Sequence, residues 1–366
     1  MPGPPTPARP AGPDDWRGQL ALAIRRAEDL PAGPAFDAAR GAAELPPGPQ
    51  GLRPLSITPY YLSLIDRDDP ADPIARLALP RVEEWTRRAE LSADPIDEER
   101  HSPLPGLIRR YPDRALLLVH GGCAVNCRHC TRRILGKGNI RPVAGAELGR
   151  ALSWIAARPA IRDVILSGGD PLLLEDDELL SVVDRVRAIP SVEIIRLGTR
   201  VPVTLPMRID RGLAAALAAR GPLYVNTQFD HPRELTPEAA RAVATLVDAG
   251  IPVANQAVLL HGVNDDPAVV VELCRGLLRI RVRPYYLFVC DLVRGTAHFR
   301  VPLDRAIGIA AALRGRLSGL GIPQLVVDLP GGLGKIPLGA DHVVRREPGR
   351  VILRAPDGTL VDYPDA

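Results

Sequence analysis

The chain has 366 residues, 46% of them hydrophobic and 24% charged, with a formal net charge of +3. That composition allows a sizeable packed core and excludes wholesale disorder, and so small a positive balance argues against a nucleic-acid protein held by bulk charge. No apolar run approaches the ~18 residues of a membrane span, and the Pro/Gly-rich start lacks the apolar core of a secretory signal, so no membrane partner and a cytoplasmic location are expected.

Residues 1–13 read as a disordered tail by their proline content. Residues 14–105 read as an N-terminal, mainly helical region. Asp14 and Asp15 are placed to cap a helix carrying Leu20, Leu22, Ile24 and Arg25, and a further helix is predicted over 70–90. Beyond that point the pattern alternates. Apolar strands are predicted at 115–119, 164–166, 193–197, 223–227, 253–260, 284–290 and 325–328. Helices are predicted between them near 145–158, 176–188, 210–219, 237–249, 267–279 and 303–318. The helix at 237–249 is well punctuated, with Thr236 as cap, Pro237 at its first position and Gly250 as its stop. Strand–helix repeats with near-continuous apolar strands imply a parallel sheet. The predicted fold is therefore α/β, a partial (βα)6-type TIM barrel over 106–329, followed over 330–366 by a glycine-rich loop and a β-hairpin turning at Asp357-Gly358.

Ligands gather at the carboxyl ends of parallel strands. Several chemically suggestive residues fall there: Cys123, Gly168-Gly169-Asp170, Arg200, Gln256, Asp291 and Asp328. Lysine is the second signal. Among 46 basic residues only Lys137 and Lys335 are lysines. Lysine can lose its proton and act as a nucleophile, which arginine cannot. Lys335 follows the glycines of the 331–334 stretch, where backbone can approach a cofactor closely, whereas Lys137 reads as a solvated side chain.

Five cysteines, an odd number, do not form a disulfide framework. Three are crowded into Cys123-Ala-Val-Asn-Cys127-Arg-His-Cys130, while Cys274 and Cys290 read as core. Structural zinc wants four ligands, for which His129 or His120 would have to serve. An iron–sulfur cluster held by three thiolates, with one iron open to a ligand, is the stronger reading.

The Cys-x-x-x-Cys-x-x-Cys loop and Ser167-Gly-Gly-Asp-Pro171 resemble the radical S-adenosylmethionine (SAM) superfamily. Five further stretches narrow the resemblance to the lysine 2,3-aminomutase family: Ser56-Ile-Thr-Pro-Tyr-Tyr-Leu-Ser-Leu-Ile-Asp66, Arg110-Tyr-Pro-Asp-Arg114, Cys127-Arg-His-Cys-Thr-Arg-Arg133, Cys290-Asp-Leu292 with His298-Phe-Arg300, and Val327-Asp-Leu-Pro-Gly-Gly-Leu-Gly-Lys-Ile-Pro337. The resemblance implies an isomerase with three cofactors. Cys123, Cys127 and Cys130 would ligate a 4Fe–4S cluster; His129, Ser167, Gly168, Gly169, Asp170, Arg200 and Gln256 would line the SAM site. Lys335 would form the Schiff base with pyridoxal 5′-phosphate (PLP), and Arg110, Tyr111 and Arg114 would grip its phosphate. Arg132 would pair with the carboxylate of an amino-acid substrate, and Asp291 and Asp328 would hold its distal ammonium. An electron donor such as flavodoxin or ferredoxin and a homo-oligomeric state are further implications, with no nucleic-acid partner.

Departures from the family pattern are specific. Asp266 stands where zinc-carrying members have Cys, and no Cys-rich tail follows, so no zinc site is expected. Gln228, Asp230 and His261 replace the usual His, Asn and Arg. The expected reaction is the 2,3-migration of the amino group of free L-lysine. Arginine or another amino acid as substrate, a different radical outcome such as elimination, and a zinc-stapled binding protein are the competing readings.

Overall fold

A computed structural model describes residues 15–45, 54–132, 138, 140–348, 350–355 and 357–365. The expected tail, Arg133 and Lys137 lie outside the described residues. Among the described residues the N-terminal part holds four short α-helices, α1 (Trp16–Ala21), α2 (Pro34–Ala43), α3 (Pro59–Leu62) and α4 (Pro73–Ala78). The expectation of a mainly helical region is corrected here: long irregular stretches separate these helices. Pro80 follows α4, and only a 3-10 turn at Val82–Trp85 comes after it, so no single helix covers 70–90. Proline removes a backbone donor and clashes with the preceding turn, which ends α4 before Pro80. Asp15 occupies the N-cap of α1 without a side-chain cap bond, and α1 stops at Ala21.

The main sheet begins with an antiparallel pair, β1 (Leu107–Tyr111) and β2 (Arg114–His120). From β2 the chain runs α5 (Gly145–Ala156), β3 (Asp163–Gly168), α6 (Asp176–Arg187), β4 (Ile194–Gly198), α7 (Val201–Thr204), α8 (Arg211–Ala218) and β5 (Leu223–Thr227). It continues through α9 (Pro237–Asp248), β6 (Val253–Leu259), α10 (Pro267–Arg279), β7 (Arg283–Val289), α11 (Leu303–Ala312) and β8 (Gln324–Leu329). Strands β2 to β8 are parallel neighbours in sequence order, so all seven predicted strands exist and six helical crossovers join them. The last predicted helix ends at Ala312, not 318, and a turn with Gly315 at φ +80° follows.

The outer face of the sheet is fully buried under the helices. Leu117, Val164, Leu166, Ile195, Leu197, Val225, Leu259 and Leu287 all lie in this core with Leu148, Ile155, Val183, Leu217, Val243 and Leu277 from the helices. The inner face is half-buried and more polar. Parallel register aligns Leu118 with Ser167, then Gly198, Asn226 and Ala254, then Gln256 with Tyr286 and Val258 with Phe288 and Val326.

A short strand, β9 (Gly334–Pro337), pairs antiparallel with β8 and puts Lys335 opposite Asp328. Lys335 thus sits on a strand, and the glycine-rich loop expected to carry it ends just before it. Strands β1 and β9 are the two edges of the nine-stranded sheet. Contacts cross the gap between them: the Lys335 N–H on β9 donates to Tyr111 Oη on β1 at 3.1 Å, and Arg110 Nη2 on β1 reaches Asp328 Oδ1 on the neighbouring β8 at 2.8 Å. The sheet is therefore nearly closed, and the seam is polar. The C-terminal end is a three-stranded sheet of β10 (Val343–Glu347), β11 (Arg350–Arg354) and β12 (Leu360–Pro364), one strand more than the predicted hairpin. Among the described residues no helix is long and apolar enough to cross a membrane.

Candidate active site

The three clustered cysteines lie on the loop after β2, half-buried and free of disulfides. Two devices fix this loop. Arg128 is 1% exposed and forms a bidentate pair with the fully buried Glu84, at 2.9 and 2.7 Å. Its backbone N–H donates to Leu77 O at 2.9 Å, and the Asn126 N–H donates to Ser56 O at 2.9 Å. The middle of the loop, at Asn126 and Arg128, is thereby tied to the N-terminal region, which explains why that region needs defined geometry but little helix.

The second device is the glycine pair after β3. The Gly169 N–H donates to His120 O at 2.7 Å, and the Asp170 N–H donates to Gly122 O at 2.8 Å. A Cβ on Gly168 would stand 2.2 Å from His120 O, and one on Gly169 would stand 2.1 Å from Gly122 O. Only glycine lets the two loops touch this closely. Asp170 finishes the arrangement from inside, accepting from Thr199 Oγ1 at 2.7 Å, the Leu172 N–H at 3.0 Å and the Arg200 N–H at 2.7 Å. Its carboxylate thus organises the strand ends themselves.

Among the described residues no three His, Cys, Asp or Glu side chains converge as they would on one metal ion. Thiols on different irons of a cluster surround it from outside, so a single point of convergence is not what a 4Fe–4S ligand set requires. The donor chemistry fits such a cluster. Burial pushes the Cys127 thiol up, and Arg200, whose Nη1 donates to Cys127 Sγ at 2.8 Å, pulls it down toward the thiolate.

Behind Cys127 lies a buried polar network that the sequence reading did not find. Arg200 Nε donates to Gln228 O at 3.1 Å, and its Nη2 donates to Tyr61 Oη at 3.1 Å and Glu234 Oε1 at 2.6 Å, with Asp230 Oδ2 at 3.5 Å. Gln228 Nε2 donates to Asp230 Oδ2 at 2.9 Å and lies 2.7 Å from His129 Nε2. The departures at Gln228 and Asp230 therefore satisfy each other beneath the cysteine loop. His261, the third departure, lies outside this network: its side chain is 63% exposed and pairs with Asp265 at 2.8 Å. Gln256 is half-buried on the inner face of β6.

At the polar seam, Lys335 Nζ donates to both oxygens of Asp328, each at 3.1 Å, above the Phe288 ring at 5.0 Å. Arg110 shares Asp328, and its buried Nη1 has no hydrogen-bond partner among the described residues. That orphaned donor fits a phosphate. Tyr111 lies below Arg114, whose guanidinium is 4.6 Å from the ring centroid and pairs with Asp113 at 2.9 Å.

Asp291 follows β7 and is half-buried. Burial pushes its carboxyl up to about 7, and Asp328 and Glu98 push the same way against Lys335 and Arg110. Glu98, also missed in the sequence, holds Arg132 bidentately at 3.2 and 3.0 Å, and Arg132 Nη1 donates to Ser167 Oγ at 3.3 Å. The segment carrying Glu98 straps the mouth of the sheet. The Ser92 N–H donates to Leu292 O at 2.9 Å, and the Gly331 N–H donates to Pro95 O at 2.9 Å. Nothing in the sequence periodicity of 91–102 signals this strap, because it is irregular and held by loops from both sides.

Known proteins are similar to this chain in sequence. Residues 117–274 match the family model for the radical SAM superfamily, and residues 310–366 match the lysine-2,3-aminomutase model. The L-lysine 2,3-aminomutase of Fusobacterium nucleatum subsp. nucleatum is 46% identical over 309 residues, which cover 84% of this chain and 73% of that protein. That of Clostridium subterminale is 44% identical over 352 residues, covering 96% and 84% respectively. The glutamate 2,3-aminomutase of Clostridioides difficile is 41% identical over 311 residues, covering 85% and 73%. This chain belongs to the lysine 2,3-aminomutase family of the radical SAM superfamily.

Proposed function

We propose that the protein is a 2,3-aminomutase acting on a free cationic amino acid, L-lysine, with a 4Fe–4S cluster, SAM and PLP as cofactors. The observation that carries the choice of substrate is the Lys335 ammonium seated on both oxygens of Asp328 beside Asp291. It is a built-in example of the contact a substrate ammonium would make. A buried ammonium needs such pairing. Once Lys335 is committed to PLP, Asp328 and Asp291 are left for the distal ammonium of lysine.

Bound SAM and PLP together supply a 5′-deoxyadenosyl radical and a conjugated system through which an amine migrates between adjacent carbons. The chain supplies position. Cys123, Cys127 and Cys130 would present the cluster at the strand ends, with Ser167, the Gly168–Gly169 turn, His129 and Gln256 around SAM. Arg110, with Tyr111 and Arg114 beside it, would take the PLP phosphate, which relieves the orphaned Nη1. Arg132, oriented by Glu98 on its Nε and Nη2, would meet the substrate carboxylate through Nη1, which otherwise makes only a long 3.3 Å contact with Ser167 Oγ. The strap over 91–102, tied through Ser92 to Leu292 and through Pro95 to Gly331, would help to shield the bound substrate from water. A cytoplasmic one-electron donor, such as flavodoxin or ferredoxin, would reduce the cluster, and a homo-oligomer is the expected assembly.

Arginine shares the cationic end and is the second reading that this acidic pair permits. A glutamate side chain would meet Asp291 and Asp328 as like charges. The test uses L-lysine and L-glutamate deuterated at the β-carbon, each given to the reconstituted, reduced enzyme. Deuterium should enter the 5′-deoxyadenosine pool from lysine and not from glutamate; the reverse pattern overturns the substrate assignment.

A further inference from the structure

We propose that Arg200 is a positioning residue that sets how readily the iron–sulfur cluster accepts an electron, through the charged hydrogen bond it donates to the Cys127 sulfur. This rests on the reading of Cys123, Cys127 and Cys130 as cluster ligands.

Each guanidinium nitrogen of Arg200 is engaged within the protein: Nε on Gln228 O, Nη1 on Cys127 Sγ, and Nη2 on Tyr61 Oη and Glu234 Oε1. Those contacts leave it poorly placed to recognise SAM and well placed to act on the thiolate. The side chain is 9% exposed, so its field reaches the sulfur with little solvent screening. Reduction adds one negative charge that spreads over the cluster and its sulfurs. A donor fixed on one of those sulfurs therefore stabilises the reduced form more than the oxidised form, and hydrogen bonds to sulfur are among the terms that set cluster potentials.

The strength of the effect is trimmed by the carboxylates that share the guanidinium. Glu234 lies 2.6 Å and Asp230 3.5 Å from Nη2, and both are fully buried. Tyr61 donates to Glu234 Oε1 at 2.6 Å, which keeps Glu234 facing Arg200. Asp230 is also held by Gln228 and by the Val258 N–H at 2.9 Å. Neutralising Asp230 leaves more of the positive charge for the sulfur. The two substitutions Arg200→Gln and Asp230→Asn are thus expected to act in opposite directions, which a purely structural role would not produce.

The test is a mediated potentiometric titration of the reconstituted full chain with dithionite as electron donor, without SAM or PLP, read by the electron paramagnetic resonance signal of the reduced cluster. Iron and sulfide are measured in parallel. At a fixed potential, Arg200→Gln should lower the reduced-to-oxidised ratio by about tenfold, equal to about 59 mV for a one-electron couple. Arg200→Lys should recover part of it, and Asp230→Asn should raise the ratio. If Arg200→Gln binds no cluster, Asp230→Asn decides alone: a raised ratio supports the proposal, and an unchanged or lowered one overturns it. A wild-type ratio in a fully loaded Arg200→Gln overturns it as well. A wild-type chain that takes up no iron and sulfide would instead overturn the cluster assignment beneath it.

Discussion

Replacing Asp291 with Asn should stabilise the cofactor-free protein while weakening its hold on lysine. The carboxyl stands at about 7 against an ordinary 3.8, first because of burial and then because Asp328 lies close. That gap corresponds to about 4 kcal/mol of work to hold the charge once pH exceeds the folded value. Between about 4 and 7 the folded chain keeps a proton that the unfolded chain has released, so wild-type stability falls as pH rises through that window. Asn has no such dependence. Partial solvation reduces the figure, so we expect Asp291→Asn to gain about 2–4 kcal/mol over wild type at pH 8, and roughly 2 kcal/mol less than that at pH 5. Urea unfolding of both proteins at the two pH values, without cofactors, measures this directly. In the loaded enzyme the same change removes a charged partner of the substrate ammonium, and the lysine KM should rise by about tenfold or more. A variant less stable than wild type at pH 8, or a stability difference that does not widen with pH, would refute the reasoning.

Other expectations follow from the same geometry. Lys335→Ala should abolish the visible absorbance of protein-linked PLP, and an unchanged spectrum would remove Lys335 from that role. Gly169→Ala places a Cβ 2.1 Å from Gly122 O, so the cysteine loop must shift and iron uptake on reconstitution should fall well below wild type. Glu84→Gln removes the carboxylate that pairs with the buried Arg128, and should cost about 3–5 kcal/mol in unfolding experiments.

The parallel strands were legible because their apolar runs are nearly continuous and each is followed by a punctuated helix, as Thr236, Pro237 and Gly250 show for α9. Residue types that stand out at strand ends, such as Cys123 and Asp328, were legible for the same reason. The N-terminal region was not, because its prolines break short apolar stretches into turns whose order comes from partners far away, such as Arg128 on Glu84. Glu98, Tyr61 and Glu234 carry no local signal. A glutamate in an irregular strap and a tyrosine in an apolar helix look ordinary until the fold brings them against Arg132 and Arg200. The strand that carries Lys335 was hidden for a related reason: four residues pair with β8 only because the barrel edge is free to accept them.

The most direct measurement of the central claim is an anaerobic panel. The reconstituted chain, with SAM, PLP and dithionite, is given an equal mixture of the common amino acids, and products are derivatised and separated. A new peak with the mass of lysine and the chromatographic behaviour of β-lysine, absent without SAM, is the predicted result. An isomer of glutamate with lysine untouched, or no isomer of any amino acid, would contradict it.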